Sequence, residues 1–372
     1  MIHDFLVIGG GISGASVAYE LAHAGSVLLL EAESSPGYHS TGRSAALYTR
    51  NYGGPVVRQI NILSASFFDA PPEGFCDGPL LTPRGSLTVA SPETVDQLRP
   101  LLALSEPGEE VIAISPAEAL ERVPYLRPER VAAAIFEPNV SDIDVAGLHH
   151  GYLKGIKRLG GIVSTGQGVV ELTRENGIWH ASTHRDTWRA KTVVNAAGAW
   201  ADEVGIMAGA QPIGLVPKRR TGMIVDAPAG LDLARSPSVD FVESGAYIKP
   251  EAGKLMASPG DATPTSPQDV RPEELDLAYL AHWVETETLI AVRRIEHSWA
   301  GLRSFVPDEA PVVGFDTRVP DFLWLAGQGG YGIMMAPALA KFAADLVLGA
   351  SDPGRISASG LDTVALSPAR LL

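Results

Sequence analysis

The first 31 residues restrict the fold more than any other part of the chain. Phe5-Leu6-Val7-Ile8 is a short apolar run of the kind that forms a strand buried on both faces. Gly9-Gly10-Gly11-Ile12-Ser13-Gly14 follows without a spacer. Ala15, Ala18, Leu21 and Ala22 then recur at helical spacing, Gly25 stops the helix, and Val27 to Leu30 reads as a second strand ending at Glu31. Strand, G-x-G-x-x-G, helix, strand and terminal acid together form a βαβ unit that cradles a dinucleotide. Gly9 permits the tight turn, Gly11 lets a pyrophosphate approach the backbone, and Gly14 lets helix and strand close on each other. Ile12 and Ser13 open the helix, whose unpaired N–H groups and positive dipole end favour an anion. Glu31 stands where an acid meets the adenosine ribose hydroxyls.

The rest of the chain favours FAD over NAD. Regular βα repeats do not continue after Glu31. Strand–glycine–helix junctions return only much later, at Val193 to Trp200 and at Phe322 to Gly332, with a helix from about Ile333. They place Ala197, Gly198 and Trp200, and then Gly329, Gly330, Tyr331, Gly332 and Ile333, at the cofactor. Three junctions separated by long insertions suit one cofactor domain assembled from distant segments. A helix beginning at Gly332 would stabilise negative charge on a reduced flavin. Thr165 to Arg189 reads as an antiparallel excursion with turns at Asn176-Gly177 and Arg185-Asp186. The Pro-rich stretch Thr263 to Pro272 reads as a surface loop.

The formal charge of −14 argues against nucleic acid or an anionic membrane as partner. A single cysteine, Cys76, points to a reducing compartment. The sequence shows no signal peptide and no transmembrane segment, so the expected location is cytoplasmic, with peripheral attachment to the inner membrane as a variant. No metal-ligand spacing is present; His149 and His150 are adjacent, and His39, His282 and His297 stand alone. Arg303, between Leu302 and Phe305, would need an anionic partner if buried, which a substrate carboxylate could supply. Lys218 and Arg219 suit a solvated face.

Six segments, FLVIGGGISGASVAYELA, YHSTGRSAA, VNAAGAWAD, GLVPKRR, WAGLRSFVPD and GQGGYGI, occur in an order that resembles the FAD-dependent D-amino-acid oxidase and dehydrogenase superfamily. Within it the similarity is to the bacterial D-arginine dehydrogenases, and it extends over nearly the whole chain. The resemblance implies an α/β (α+β overall) fold: a Rossmann-type FAD-binding domain built from discontinuous segments, plus a substrate-binding domain with a mixed or antiparallel sheet. We expect residues 1–51, 141–211 and 301–372 in the first, and 52–140 and 212–300 in the second, capping domain.

The resemblance also implies site roles. Ser40, Thr41, Arg43 and Ser44 would wrap the pyrophosphate of a non-covalent FAD. Ala45, Ala46 and Gly301 would lie at the flavin, and Val170 at the adenine. Arg220 and Arg303 would hold the substrate carboxylate beside Tyr247, the Gly330 carbonyl would receive the amine, and Tyr52 would belong to a lid. The implied reaction is oxidation of a D-amino acid by hydride transfer from Cα to flavin N5. The imino acid then hydrolyses to a 2-oxo acid and ammonia, with no protein acid or base assigned. Electrons would pass to a quinone, a carrier protein or O₂. Two alternatives stand beside this: an oxidase or dehydrogenase of secondary amines of the sarcosine, glycine or opine type, and an electron-relay subunit of a heteromeric amine dehydrogenase. In the arginine-oxidising relatives the position of Leu47 is a histidine and that of Ser86 a glutamate. Here both are uncharged, so we expect no carboxylate at that wall and a preference for neutral side chains packed against Leu47. Arg50 leaves room for an acidic substrate if it turns inward.

Overall fold

A computed structural model describes residues 1–106, 108–349 and 360–371. The opening βαβ unit forms as its pattern dictates: strand His3–Ile8, helix Ile12–Ala22 and strand Val27–Leu30. Both strands are almost wholly buried, because helices cover the sheet on either side. The parallel core runs Ile162–Ser164, Val27–Leu30, His3–Ile8, Thr187–Asn195 and Phe322–Ala326. Strands Val169–Glu175, Ile178–Thr183 and Val312–Phe315 extend it antiparallel to eight strands. The hairpin at Asn176-Gly177 turns through two positive-φ residues, at 50° and 81°, as Asn-Gly favours.

A second, nine-stranded mixed sheet takes its strands from residues 86–137 and 216–305. Helices Pro116–Arg122 and Glu274–Glu287 cover one face, over a core that includes Leu87, Val89, Val239, Phe241 and Ile248. The opposite face carries Arg220, Tyr247 and Arg303. Three short strands, Leu47–Tyr48, Leu81–Pro83 and Ser141–Ile143, form a separate small sheet.

Two features bear on the expected division of the chain. Helix Pro55–Asp69 packs in the same core as helices Ile12–Ala22 and Gly332–Leu348, through Val57, Ile60 and Phe68, so this part of 52–140 lies with the first sheet. A boundary at 300/301 would cut the strand His297–Phe305, and we propose to draw it after Phe305. Thr263–Pro264 is not free loop, since it pairs with Lys218 and Arg219. Among the described residues, no helix is long and apolar enough to cross a membrane.

Candidate active site

A cavity of about 400 Å³ runs from the opening glycine turn to the bare face of the second sheet. Gly9, Gly11, Ile12, Ser13 and Glu31 line its first end. The turn is built for close approach. Gly9 has φ +106°, and a Cβ there would stand 2.4 Å from the Ala196 carbonyl oxygen. A Cβ on Gly14 would stand 1.8 Å from the Gly9 oxygen, so the third glycine acts by packing and does not itself line the cavity. Glu31 is held in place, accepting from the N–H of Gly10 and of Glu33, each at 2.8 Å. Gly11 at the helix N-cap has no side chain to offer, and the Thr41 hydroxyl accepts from Ile12 N–H at 2.9 Å instead. His149, buried on the helix Val145–Arg158, bonds the Gly10 carbonyl at 2.9 Å; burial pulls its ring below the ordinary histidine range.

The loop after the second strand is stitched to the other sheet. Ser40 donates to the Leu302 carbonyl at 2.7 Å. Arg43 donates to the carbonyls of Val270 and Ala300, at 3.1 and 3.0 Å, and pairs with Asp269 at 2.5 Å. Trp299 Nε1 donates to the Arg43 carbonyl at 3.2 Å. Ser40, Arg43, Ser44 and Ala45 do line the cavity, but the Arg43 guanidinium, expected at a pyrophosphate, is engaged by protein groups. Lys249, 3% exposed, donates to the Ala45 carbonyl at 2.8 Å and pairs with Asp142 and Glu251 at 3.1 and 2.9 Å.

Other expected positions fall differently. Val169, not Val170, lines the cavity: strand side chains alternate, a bulge intervenes, and Val170 is 45% exposed. Ala46, at φ 47°, packs against the first core, outside the lining. Leu47 pairs with Asp142 in the small sheet, also outside the lining. Ala197, Gly198 and Trp200 line the cavity at the second junction, and Trp200 packs on His39, ring centroids 4.7 Å apart. At the third, Gly329, Gly330, Gly332 and Ile333 line it, and Tyr331 is the N-cap of the helix Gly332–Leu348. The sequence reading missed Gln328, whose Nε2 is buried at this cavity without a partner among the described residues. That orphaned donor, the side-chain-free turn and the fixed Glu31 carboxylate fit a long polar ligand with acceptor oxygens, as FAD is.

At the far end, neighbouring strands bring Arg220 and Arg303 to one face, with Gly301 directly opposite Arg220. Arg220 donates through Nε to the Asp261 carbonyl at 2.5 Å, while the Asp261 carboxylate bonds Thr221 at 2.7 and 2.9 Å. Burial, and then the Arg303 charge, pull Arg220 below its ordinary value. Arg303 is surrounded by the phenols of Tyr247, Tyr52 and Tyr331, and no carboxylate pairs with it among the described residues; burial opposes its charge, yet those phenols leave its pKa raised overall. Gly330 gives it room: a Cβ there would stand 2.8 Å from Nη1. Tyr52, 45% exposed, meets Tyr331 edge-on at 5.0 Å. Arg219 faces the other way, 8% exposed and paired with Glu273 and Asp276 of the covering helix, so the expected solvated face is a buried ion pair. Lys218 lies over the Phe305 ring at 4.6 Å.

Two further expectations need correcting at the wall beyond Tyr247. Ser86 is buried and donates to the Asp240 carboxylate at 2.9 Å, so a carboxylate does stand beside that position. Arg50 is paired with Glu109 at 2.8 Å and is not free for an acidic substrate.

Comparisons with known proteins agree with this geometry. Human mitochondrial dimethylglycine dehydrogenase is 26% identical over 99% of this chain, which spans only 44% of that protein. Glycine oxidase from Geobacillus kaustophilus is 24% identical over 93% of both chains. A crystal structure of glycine oxidase from that organism superposes with a TM-score of 0.86, at 22% identity over 100% of this chain and 99% of the other. L-proline dehydrogenase from P. horikoshii superposes at 0.85, with 24% identity over 99% and 97%. The DAO family model, FAD dependent oxidoreductase, matches residues 4–346, and the chain belongs to that family of FAD-dependent enzymes.

Proposed function

We propose that this protein oxidises the carbon–nitrogen bond of a small amino carboxylate, with FAD as the two-electron acceptor. The observation that carries the reading is the anion site at the far end of the cavity: Arg303 buried among phenols without a carboxylate, and Arg220 beside it. Two buried guanidinium groups that repel each other are stabilised by a shared anion, and a carboxylate matches the guanidinium fork.

In this reading Gly9 to Ser13, Glu31, Thr41 and Gln328 hold FAD, and the N-terminus of the helix Gly332–Leu348 offers its dipole to negative charge on the ring. FAD, when bound, supplies the hydride-accepting chemistry. The arginines fix the carboxylate, Tyr247 flanks it, and the Gly330 carbonyl accepts from the substrate amine. Anchoring at both groups sets the direction of the C–H bond to be broken, and such positioning supplies much of the rate. No acid or base is required if the amine reacts unprotonated.

The amines named in the titles of the relatives favour a glycine-type or N-methylated amino carboxylate. The ordered segments shared with D-amino-acid dehydrogenases, and the room beyond Tyr247, favour a primary D-amino acid. Anaerobic bleaching of the flavin absorbance separates them, using D-amino acids, their L-enantiomers, sarcosine and dimethylglycine. Bleaching by decarboxylated amines as readily as by the amino carboxylates would overturn the proposal.

A further inference from the structure

Asp240 is the one acidic side chain on the bare face of the second sheet that sits directly across from a residue of the anion site: in register it faces Tyr247. The face reads from strand to strand as Arg303, Arg220, Tyr247, Asp240, Ser86 and Glu137. Cations stand at one end and carboxylates at the other. Val239 and Phe241, the chain neighbours of Asp240, point into the opposite core, so its side chain is on the site's side of the sheet.

Its partners are few. One oxygen accepts from Ser86 Oγ at 2.9 Å, and Ser86 Oγ in turn accepts from Ser238 Oγ at 2.9 Å. Among the described residues no basic side chain pairs with it. Lys249 lies across from Ser238 on the same face but is held by Ala45, Asp142 and Glu251. Glu137, across from Ser86, accepts from Asn51 at 2.8 Å and adds negative charge. Burial first, and Glu137 also, push the Asp240 carboxyl up to about 6, against the pull of the Ser86 hydroxyl. It is therefore largely ionised at neutral pH, and an ionised, half-buried carboxylate without a cation is stabilised by one brought from outside.

We infer that Asp240, positioned by Ser86, receives a cationic group at the end of the substrate remote from its carboxylate, so that the enzyme takes amino carboxylates bearing a distal ammonium or guanidinium. This rests on the arginine anion site proposed above. It replaces the expectation, drawn from Ser86 and Leu47 alone, of a neutral side chain.

The test is calorimetric titration of the holoenzyme with ω-amino carboxylates of four to six carbons and with the parent carboxylates lacking the amine. Neither series carries an α-amine, so binding is read without turnover. In the best-fitting pair the amino compound should bind about thirtyfold or more tightly, as expected for a buried charge pair. Asp240→Asn should bring that ratio close to one, and Ser86→Ala should lower it while leaving the carboxylate in place. The ratio should also shrink below about pH 6, as Asp240 takes up its proton. If the parent carboxylates bind and Arg303→Leu abolishes that binding, but the amino group brings no gain, the Asp240 inference is overturned and the anion site stands. A gain that survives in Asp240→Asn overturns it equally. Failure of both series to bind removes the anion site itself, and this inference with it.

Discussion

Gly330→Ala isolates the positioning of Arg303 from its charge. The glycine does not occupy a left-handed conformation, so alanine suits its backbone. The added Cβ would stand 2.8 Å from Arg303 Nη1, 2.9 Å from Cζ and 3.1 Å from Nε, all atoms of one side-chain tip. Favourable separations begin at about 3.5 Å, so the guanidinium must retreat by about 0.6–1 Å. A displacement near 1 Å in a group that orients substrate costs up to about a hundredfold in rate. We expect kcat/KM to fall about ten- to a hundredfold, equivalent to about 1.4–2.7 kcal/mol of lost transition-state stabilisation. Melting temperature and flavin spectrum should stay near wild type, because a flexible tip moves, not the backbone.

The neighbouring Gly329→Ala is the contrasting control. It combines φ +53° with a Cβ 2.4 Å from the Phe305 ring and should fail in folding or cofactor retention. Steady-state kinetics, thermal melting and the flavin spectrum of both variants are the assay. A kcat/KM for Gly330→Ala within threefold of wild type, while Arg303→Leu is severely impaired, would refute the idea that Gly330 sets the guanidinium's place.

Arg303→Leu should raise KM at least about tenfold with the flavin spectrum retained, since losing one partner of a buried charge pair costs about 2–5 kcal/mol; an unchanged KM would remove Arg303 from the carboxylate site. Glu31→Ala leaves the Gly10 N–H without its acceptor, a cost of about 1–3 kcal/mol, and should weaken FAD retention about tenfold or more by ultrafiltration. Unchanged retention would place the ribose elsewhere. Asp240 has a folded pKa of about 6, raised from 3.8. Between those values the folded chain keeps a proton that the unfolded chain has released, so this group's contribution to stability is lost as pH rises, by about 3 kcal/mol in all. The unfolding free energy of Asp240→Asn minus that of wild type should therefore grow from pH 4 to pH 7; a constant difference would contradict the burial of this carboxyl.

What could be read from the sequence was local. The βαβ unit is legible because its strand, glycines and acid are fixed by contacts within 31 residues. The Asn176-Gly177 hairpin is legible because the turn itself demands those residues. Arg303 stood out as an arginine among apolar neighbours. Register was not legible. Arg219 and Arg220 are adjacent in one strand, yet one is paired under a helix and the other faces the cavity. Nothing in PKRR says which is which; that depends on pairing with His297–Phe305, some 80 residues later. Val169 and Val170 exchange places for the same reason. Asp240 was invisible because its meaning comes from Tyr247 and Ser86 on the flanking strands.

The loop from Ser40 to Ala45 shows why such long-range terms matter for function. Its hydroxyls and arginine read as a grip on an anion, the natural inference for polar residues after a glycine turn. Most of those groups instead bond protein: Ser40 to Leu302, Arg43 to Val270, Ala300 and Asp269, and the Ala45 carbonyl to Lys249. Leu302 is adjacent in sequence to Arg303 and Gly301, and Lys249 is two residues from Tyr247 on the same sheet face. The loop that closes the dinucleotide cradle is thus bonded to the two strands that carry the anion site. A displacement of either strand would move Ala45, and movement of the loop would disturb Arg303. Each of these bonds joins residues more than 200 positions apart and brings polar groups into the partly buried space between two sheets. Leaving any of them unpaired would cost about 1–3 kcal/mol, so the pairing fixes the distance from the glycine turn to the arginines without any residue having to touch both ligands.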